Sequence, residues 1–183
     1  MTYDRTWLES QYRAKSRPNY LFFWGHQVSE DGAHTASCFS QWWPATFKIA
    51  DEVYPTAEHW MMAGKARLFR DEDTARHIIR AGSPKQAKGL GRQVKGFVEA
   101  DWDREKRRIV TEGNLAKFSQ NHLLLNFLLS TGDKVLVEAS PVDRIWGIGL
   151  ATDDDNARNP LKWRGENLLG FVLMDVRDAL RIK

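Results

Sequence analysis

The chain has 183 residues, 42% hydrophobic and 28% charged, enough for one ordinary domain with a real core, or a domain with a small appendage. Its net charge of +3, from 27 basic and 24 acidic side chains, excludes duplex binding by bulk electrostatics but suits a small anionic ligand. A single cysteine, Cys38, excludes an intrachain disulfide framework. With a polar N-terminus and no apolar run of membrane-spanning length, it leads us to expect a cytoplasmic protein without a membrane partner.

Residues 1–18 read as a polar arm with a helical turn around 7–13. The aromatic run 19–24 predicts a strand ending at Gly25. Residues 29–37 read as a turn-rich loop and 47–53 as a second short strand, so a small antiparallel sheet is expected before the first long helix. Thr56 is the N-cap of a helix over 57–68. A second helix is predicted over 71–81, closed by Gly82. Ser83 and Pro84 open a third, running toward Val94, with proline at the first position. Residues 101–129 read as one long helix or two, with Asp101 as N-cap and Gly113 as a weak point. A strand over 134–139 and a polar loop over 153–160 follow. The last helix, from about 165 to 181, carries Leu168, Leu169, Val172, Leu173, Val176 and Leu180 on one stripe. The fold class is therefore α+β and predominantly α-helical: one domain over 19–183, preceded by the arm.

Two stretches carry chemistry. In helix 57–68, Glu58 and Lys65 are seven residues apart, close to two turns, so both project from one face with Met62 between them. A carboxylate and an ammonium on an otherwise apolar face are costly to bury unless they pair or act on something. The helix holds either a site or an internal ion pair at a wet edge. In 138–149, Asp143, Arg144, Trp146, Gly147 and Gly149 follow the end of a strand. Either Asp143 is an acid or base beside a stacking Trp146, or this is a turn with an Asp cap and a core indole. Glu58 and Asp143 together meet the needs of a glycosidase pair, and the sequence leaves retaining and inverting chemistry both open.

Other features are less specific. Residues 83–92 offer a helix N-terminus, Lys85, Lys88, Arg92, Gly89 and Gly91: a phosphate cradle or a basic exposed helix, with Arg92 the better ligand contact. Eight tryptophans mostly fill the core, with one or two expected to line a pocket. The five histidines have no Cys partners and no His-x-x-x-His spacing, so no metal site is expected.

The order of motifs resembles the NADAR, or YbiA-like, family. The resemblance is carried by Phe39-Ser-Gln-Trp-Trp-Pro-Ala-Thr-Phe47, Thr56-Ala-Glu-His-Trp-Met-Met-Ala-Gly-Lys65-Ala, Leu90-Gly-Arg92, Trp102-Asp103, the run 136–149 and Trp163-Arg-Gly-Glu-Asn-Leu-Leu-Gly170. It covers roughly residues 20–180 and departs at Gln41, where the family usually has Asn. It implies a YbiA-like fold and a metal-independent, cofactor-free N-glycosidase. The bond cut would be ribose C1′–N in a phosphorylated ribosyl substrate: ribosylamino-pyrimidine intermediates of riboflavin biosynthesis, or ADP-ribosylated guanine in nucleic acid. On this resemblance Glu58, Lys65 and Asp143 are catalytic, and Trp43, Arg92, Trp102, Trp146 and Trp163 bind substrate. The alternative is a non-catalytic module that binds ADP-ribose or a nucleotide.

Overall fold

A computed structural model describes residues 3–27 and 35–181; most of the loop expected over 29–37 lies outside them. In chain order the helices and strands are α1 (Arg5–Arg13), β1 (Tyr20–Phe23), β2 (Phe47–Ile49), β3 (Glu52–Tyr54), α2 (Ala57–Leu68), α3 (Glu72–Ile79), α4 (Pro84–Gly91), α5 (Glu99–Gln120), α6 (His122–Ser130), β4 (Val135–Glu138) and α7 (Leu168–Arg181). The fold is α+β and predominantly helical. Two compact units can be distinguished: Met1–Ser40 with Leu123–Lys183, and Gln41–His122. Among the described residues no helix is long and apolar enough to cross a membrane.

In the first unit, β1 and β4 pair in parallel, from Tyr20 opposite Val135 to Phe23 opposite Glu138. This corrects the expectation that β1 joins an antiparallel sheet ahead of the first long helix. Parallel pairing needs a long crossover, which the intervening chain supplies, and Val135, Leu136 and Val137 are apolar and buried, as strands covered on both faces are. Helix α7 packs on β4 and buries Leu169, Phe171, Val172, Leu173 and Val176. The buried Asn167 donates from Nδ2 to the Leu136 carbonyl at 2.9 Å and accepts from the Glu138 N–H at 2.9 Å. Its amide thus satisfies main-chain groups that would otherwise need another strand.

Helix α1 belongs to the same unit. Asp4 caps it by accepting from the Trp7 N–H. Leu8 is fully buried, the Tyr3 hydroxyl donates to Asp178 at 2.7 Å, and Arg5 donates to the carbonyls of Trp163 and Gly165. The helical turn expected within a polar arm is therefore a full, docked helix.

In the unit Gln41–His122, α2 packs against α3, α4 and α5, which explains why it is buried almost all round. Residues 47–53 are not one strand but an antiparallel hairpin, with Phe47 opposite Tyr54. The chain reverses after Ile49, where Ala50 takes the left-handed φ of 52°. The stretch 101–129 is two helices, and the break falls at Asn121 rather than Gly113. Gly113 stays helical, and the Trp60 indole occupies the space a Cβ would need there. At Asn121 the backbone turns extended (φ −122°, ψ 90°), and its side chain donates to the carbonyls of Lys117 and Thr46.

Candidate active site

Helix α2 begins as the capping pattern predicts: Thr56 Oγ1 accepts from the His59 N–H. The neighbouring orphan donor, the Glu58 N–H, is satisfied by the Gln41 carbonyl at 2.9 Å. The Glu58 side chain is 2% exposed, so a carboxylate sits buried in the first turn, the end of the helix dipole that favours negative charge. Gln41 is also buried. Its Nε2 donates to Asn114 Oδ1 at 3.2 Å, and Asn114 Nδ2 donates to the Val110 carbonyl at 2.8 Å, so α5 fixes the segment that fixes Glu58. Gln41 Oε1 is buried and accepts no hydrogen bond among the described residues.

His59 is held at both ring nitrogens. Nε2 lies 3.0 Å from the Ala81 carbonyl, which can only accept, so Nε2 carries the proton. Nδ1 then accepts from the Thr56 hydroxyl at 2.8 Å. Burial pushes the pKa of this imidazole below its ordinary value, against the Ala81 hydrogen bond, which raises it.

Two turns along, the Lys65 ammonium donates to the Gly91 carbonyl at 2.9 Å. It sits 4.1 Å from the centre of the Phe97 ring and 5.9 Å from that of Trp102, within cation–π range. Burial alone lowers its pKa. Gly91 can come this close because Met62 occupies the place of a Cβ there. Arg92, the next residue, is exposed. The unit thus gathers Lys65, Trp102 and the backbone at Gly91–Arg92 into one aromatic, cationic shelf, with Phe97 43% exposed upon it.

Of the two readings of 83–92, the phosphate cradle meets a helix start already capped by its own side chains. Ser83 Oγ accepts from the Gln86 N–H, and Gln86 Oε1 accepts from the Gly82 N–H, a reciprocal cap that uses the donors a phosphate would want. Trp43, in the same unit, is buried.

In the unit of Met1–Ser40 and Leu123–Lys183, Asp143 Oδ1 accepts from the N–H groups of Ile145 (2.9 Å) and Trp146 (2.8 Å). The Asp143 N–H donates to Ser140 Oγ at 3.1 Å. This is the Asp-capped turn that the residues themselves suggested, with Trp146 half-buried beside it. Trp163 is buried, donates its indole N–H to the Ala157 carbonyl at 2.8 Å and meets Tyr20 edge-on.

Several polar residues that organise these clusters carried no signal in the sequence. Asn114 and Lys117 are both fully buried on α5, yet they read there as ordinary polar positions of an exposed face. Asn167 follows the loop 153–160 as one more short polar residue before the last helix. Their spacing to each other or to α2 encodes nothing, because the contacts are tertiary.

A family model described as the NADAR domain matches residues 22–181. N-glycosidase R617 of Acanthamoeba polyphaga mimivirus is 46% identical over 164 residues, which are 87% of this chain and 95% of that protein. N-glycosidase YbiA of Escherichia coli (strain K12) is 32% identical over 141 residues, 77% of this chain and 78% of that protein. The NMR structure of E. coli YbiA is similar with a TM-score of 0.71 at 28% identity, covering 91% of this chain and 87% of that one.

Proposed function

The chain belongs to the NADAR domain family, and on that premise we propose that it is an N-glycosidase cutting the ribose C1′–N bond of a phosphorylated ribosyl substrate. The observation that carries the reading is Glu58, a carboxylate 2% exposed in the capped first turn of α2. Charge shielded from water acts more strongly on a cationic centre than charge in bulk solvent. In the reaction, C1′–N breaks with an oxocarbenium-like C1′, water supplies oxygen to C1′, and the departing nitrogen takes a proton. Glu58 stabilises the cationic C1′ or deprotonates the attacking water. Lys65 anchors a hydroxyl or phosphate oxygen, and Trp102, half-exposed, supplies a face for the base. Asp143 belongs to the other unit, where its Oδ1 already fixes the turn carrying Trp146, so the acid assigned to the chemistry is Glu58. Arg92 is an exposed phosphate contact, and the buried Trp43 shapes a wall rather than stacks.

The relatives named as N-glycosidases support the reaction class. The modest net charge of +3 favours a ribosylamino-pyrimidine phosphate over ADP-ribosylated guanine in nucleic acid. The decisive experiment assays both substrates side by side, following released base by chromatography, for wild type and Glu58→Gln. We expect release by wild type, undiminished by a chelator, and a loss of at least about 10²-fold in kcat for Glu58→Gln with its melting temperature retained. A near-wild-type rate in the variant would remove Glu58 from the mechanism. Tight binding of either compound with no base released would make the protein a binding module instead.

A further inference from the structure

The unit of Met1–Ser40 and Leu123–Lys183 holds a cavity of about 640 Å³ lined by Tyr12, Lys15, Arg17, Tyr20 and Arg158, among others, and by no carboxylate. That volume lies in the range of small-molecule sites. Its N-terminal wall, up to Tyr20, precedes the residues matched by the family model, which begin at 22.

Three observations define what the cavity lacks. Among the described residues, Lys15, Arg17 and Arg158 make no ion pair, so three cations converge without an anion. The Arg158 guanidinium is placed over the Phe22 ring at 5.4 Å, which orients its donors without using them. The Tyr20 hydroxyl is buried and has no hydrogen-bond partner among the described residues. A buried donor without an acceptor is costly. Burial, reinforced by Tyr12 and opposed by Arg158, pushes the Tyr20 pKa up to about 12, so the group remains a donor.

The cavity is also pre-shaped. The N–H groups of Lys15 and Ser16 bond back to the carbonyls of Tyr12 and Gln11, closing α1 with Lys15 at a left-handed φ of 61°. Tyr20 is fixed on β1 between Phe22 and Trp163.

We propose that this cavity binds a small organic phosphate or diphosphate, its anionic oxygens held by Lys15, Arg17 and Arg158 and one of them accepting the Tyr20 O–H. Three cations exceed the single charge of one carboxylate, and with the hydroxyl donor they match the charge and the several acceptor oxygens of a phosphate ester. The Tyr12 ring offers a face to the organic part. Three cations gathered at one pocket favour a small molecule over a nucleic-acid backbone, which would be tracked by an extended stripe of charge.

Calorimetric titration tests this with inorganic pyrophosphate, AMP and a short single-stranded oligonucleotide. Wild type is expected to bind pyrophosphate and AMP saturably. The double variant Arg17→Ala/Arg158→Ala, both exposed positions, is expected to weaken both by about 10-fold or more. Tyr20→Phe should weaken them about 3-fold or more while its ligand-free melting temperature stays level or rises, since the lone hydroxyl is gone. Pyrophosphate affinity unchanged in the double variant, no saturable binding by wild type, or binding of the oligonucleotide alone would each overturn the proposal. The readout is binding, so it stands or falls separately from the glycosidase reading.

Discussion

His59 keeps its bond to the Ala81 carbonyl in either protonation state, but the Thr56 hydroxyl can donate to Nδ1 only while the ring is neutral. Its folded pKa is depressed by burial, below the ordinary value of about 6.5. As pH falls through about 6.5 the unfolded chain takes up a proton that the folded ring refuses, so stability is complete above that pH and is lost below it, down to the folded pKa. Thermal melts between pH 7.5 and 5 should show the decline, and His59→Gln should start lower and fall less steeply. A parallel pH dependence in wild type and variant would place the effect elsewhere. Lys65 has its pKa lowered by burial too, which raises the fraction of free amine, the form that could attack an opened sugar. The Gly91 carbonyl and two aromatic faces favour the charged ammonium, so the anchoring role prevails. Borohydride added during turnover should leave Lys65 unmodified by mass spectrometry; a trapped adduct on it would make Lys65 a nucleophile. Arg177 is buried on α7, where its guanidinium donates to Thr131 Oγ1 at 2.9 Å and to the Lys134 carbonyl at 2.8 Å. Arg177→Met orphans both acceptors and should cost about 2–4 kcal/mol in denaturant unfolding.

At the scale of elements, helix α2 depends on two glycines in its neighbours. In an exposed helix, Gly→Ala stabilises by about 1 kcal/mol. At Gly113 the added methyl would overlap the Trp60 indole, and at Gly91 it would overlap Met62. Gly113→Ala should therefore destabilise by about 1–3 kcal/mol, with Trp60 fluorescence reporting the displaced ring; a stabilised variant would show the packing to be loose. The limits of α2 were legible from sequence because Thr56, the apolar run and the helix formers agree. The two-turn spacing of Glu58 and Lys65 was legible because both fall inside the helix whose limits the sequence marks. The stop at Asn121 was not, since the apolar residues 122–129 continue a helical pattern and the break is set by a side chain reaching Thr46. The β1–β4 pairing was hidden for a related reason: nothing local to residues 20–23 says which strand they will meet. Asn114 and Asn167 stayed silent because short polar side chains look alike on the surface and in a buried network.

For the whole molecule, α1 is the most testable extension of the fold. It lies outside the family match that begins at residue 22, yet Leu8 is fully buried and Tyr3 and Arg5 bond to segments more than a hundred and fifty positions away. Deleting residues 1–14 should cost at least the about 2–5 kcal/mol of a buried leucine, seen as a lower denaturation midpoint; an unchanged midpoint would make the helix an ornament. The pairing of Tyr20 with Val135 has a further consequence during synthesis on the ribosome. Strand β1 leaves the exit tunnel early and finds its mate only after residue 138 has been polymerised, whereas the contiguous stretch from Gln41 to His122 can complete itself first. For that interval an aromatic segment, Tyr20 to Phe23, waits without its partner strand and is open to wrong pairing.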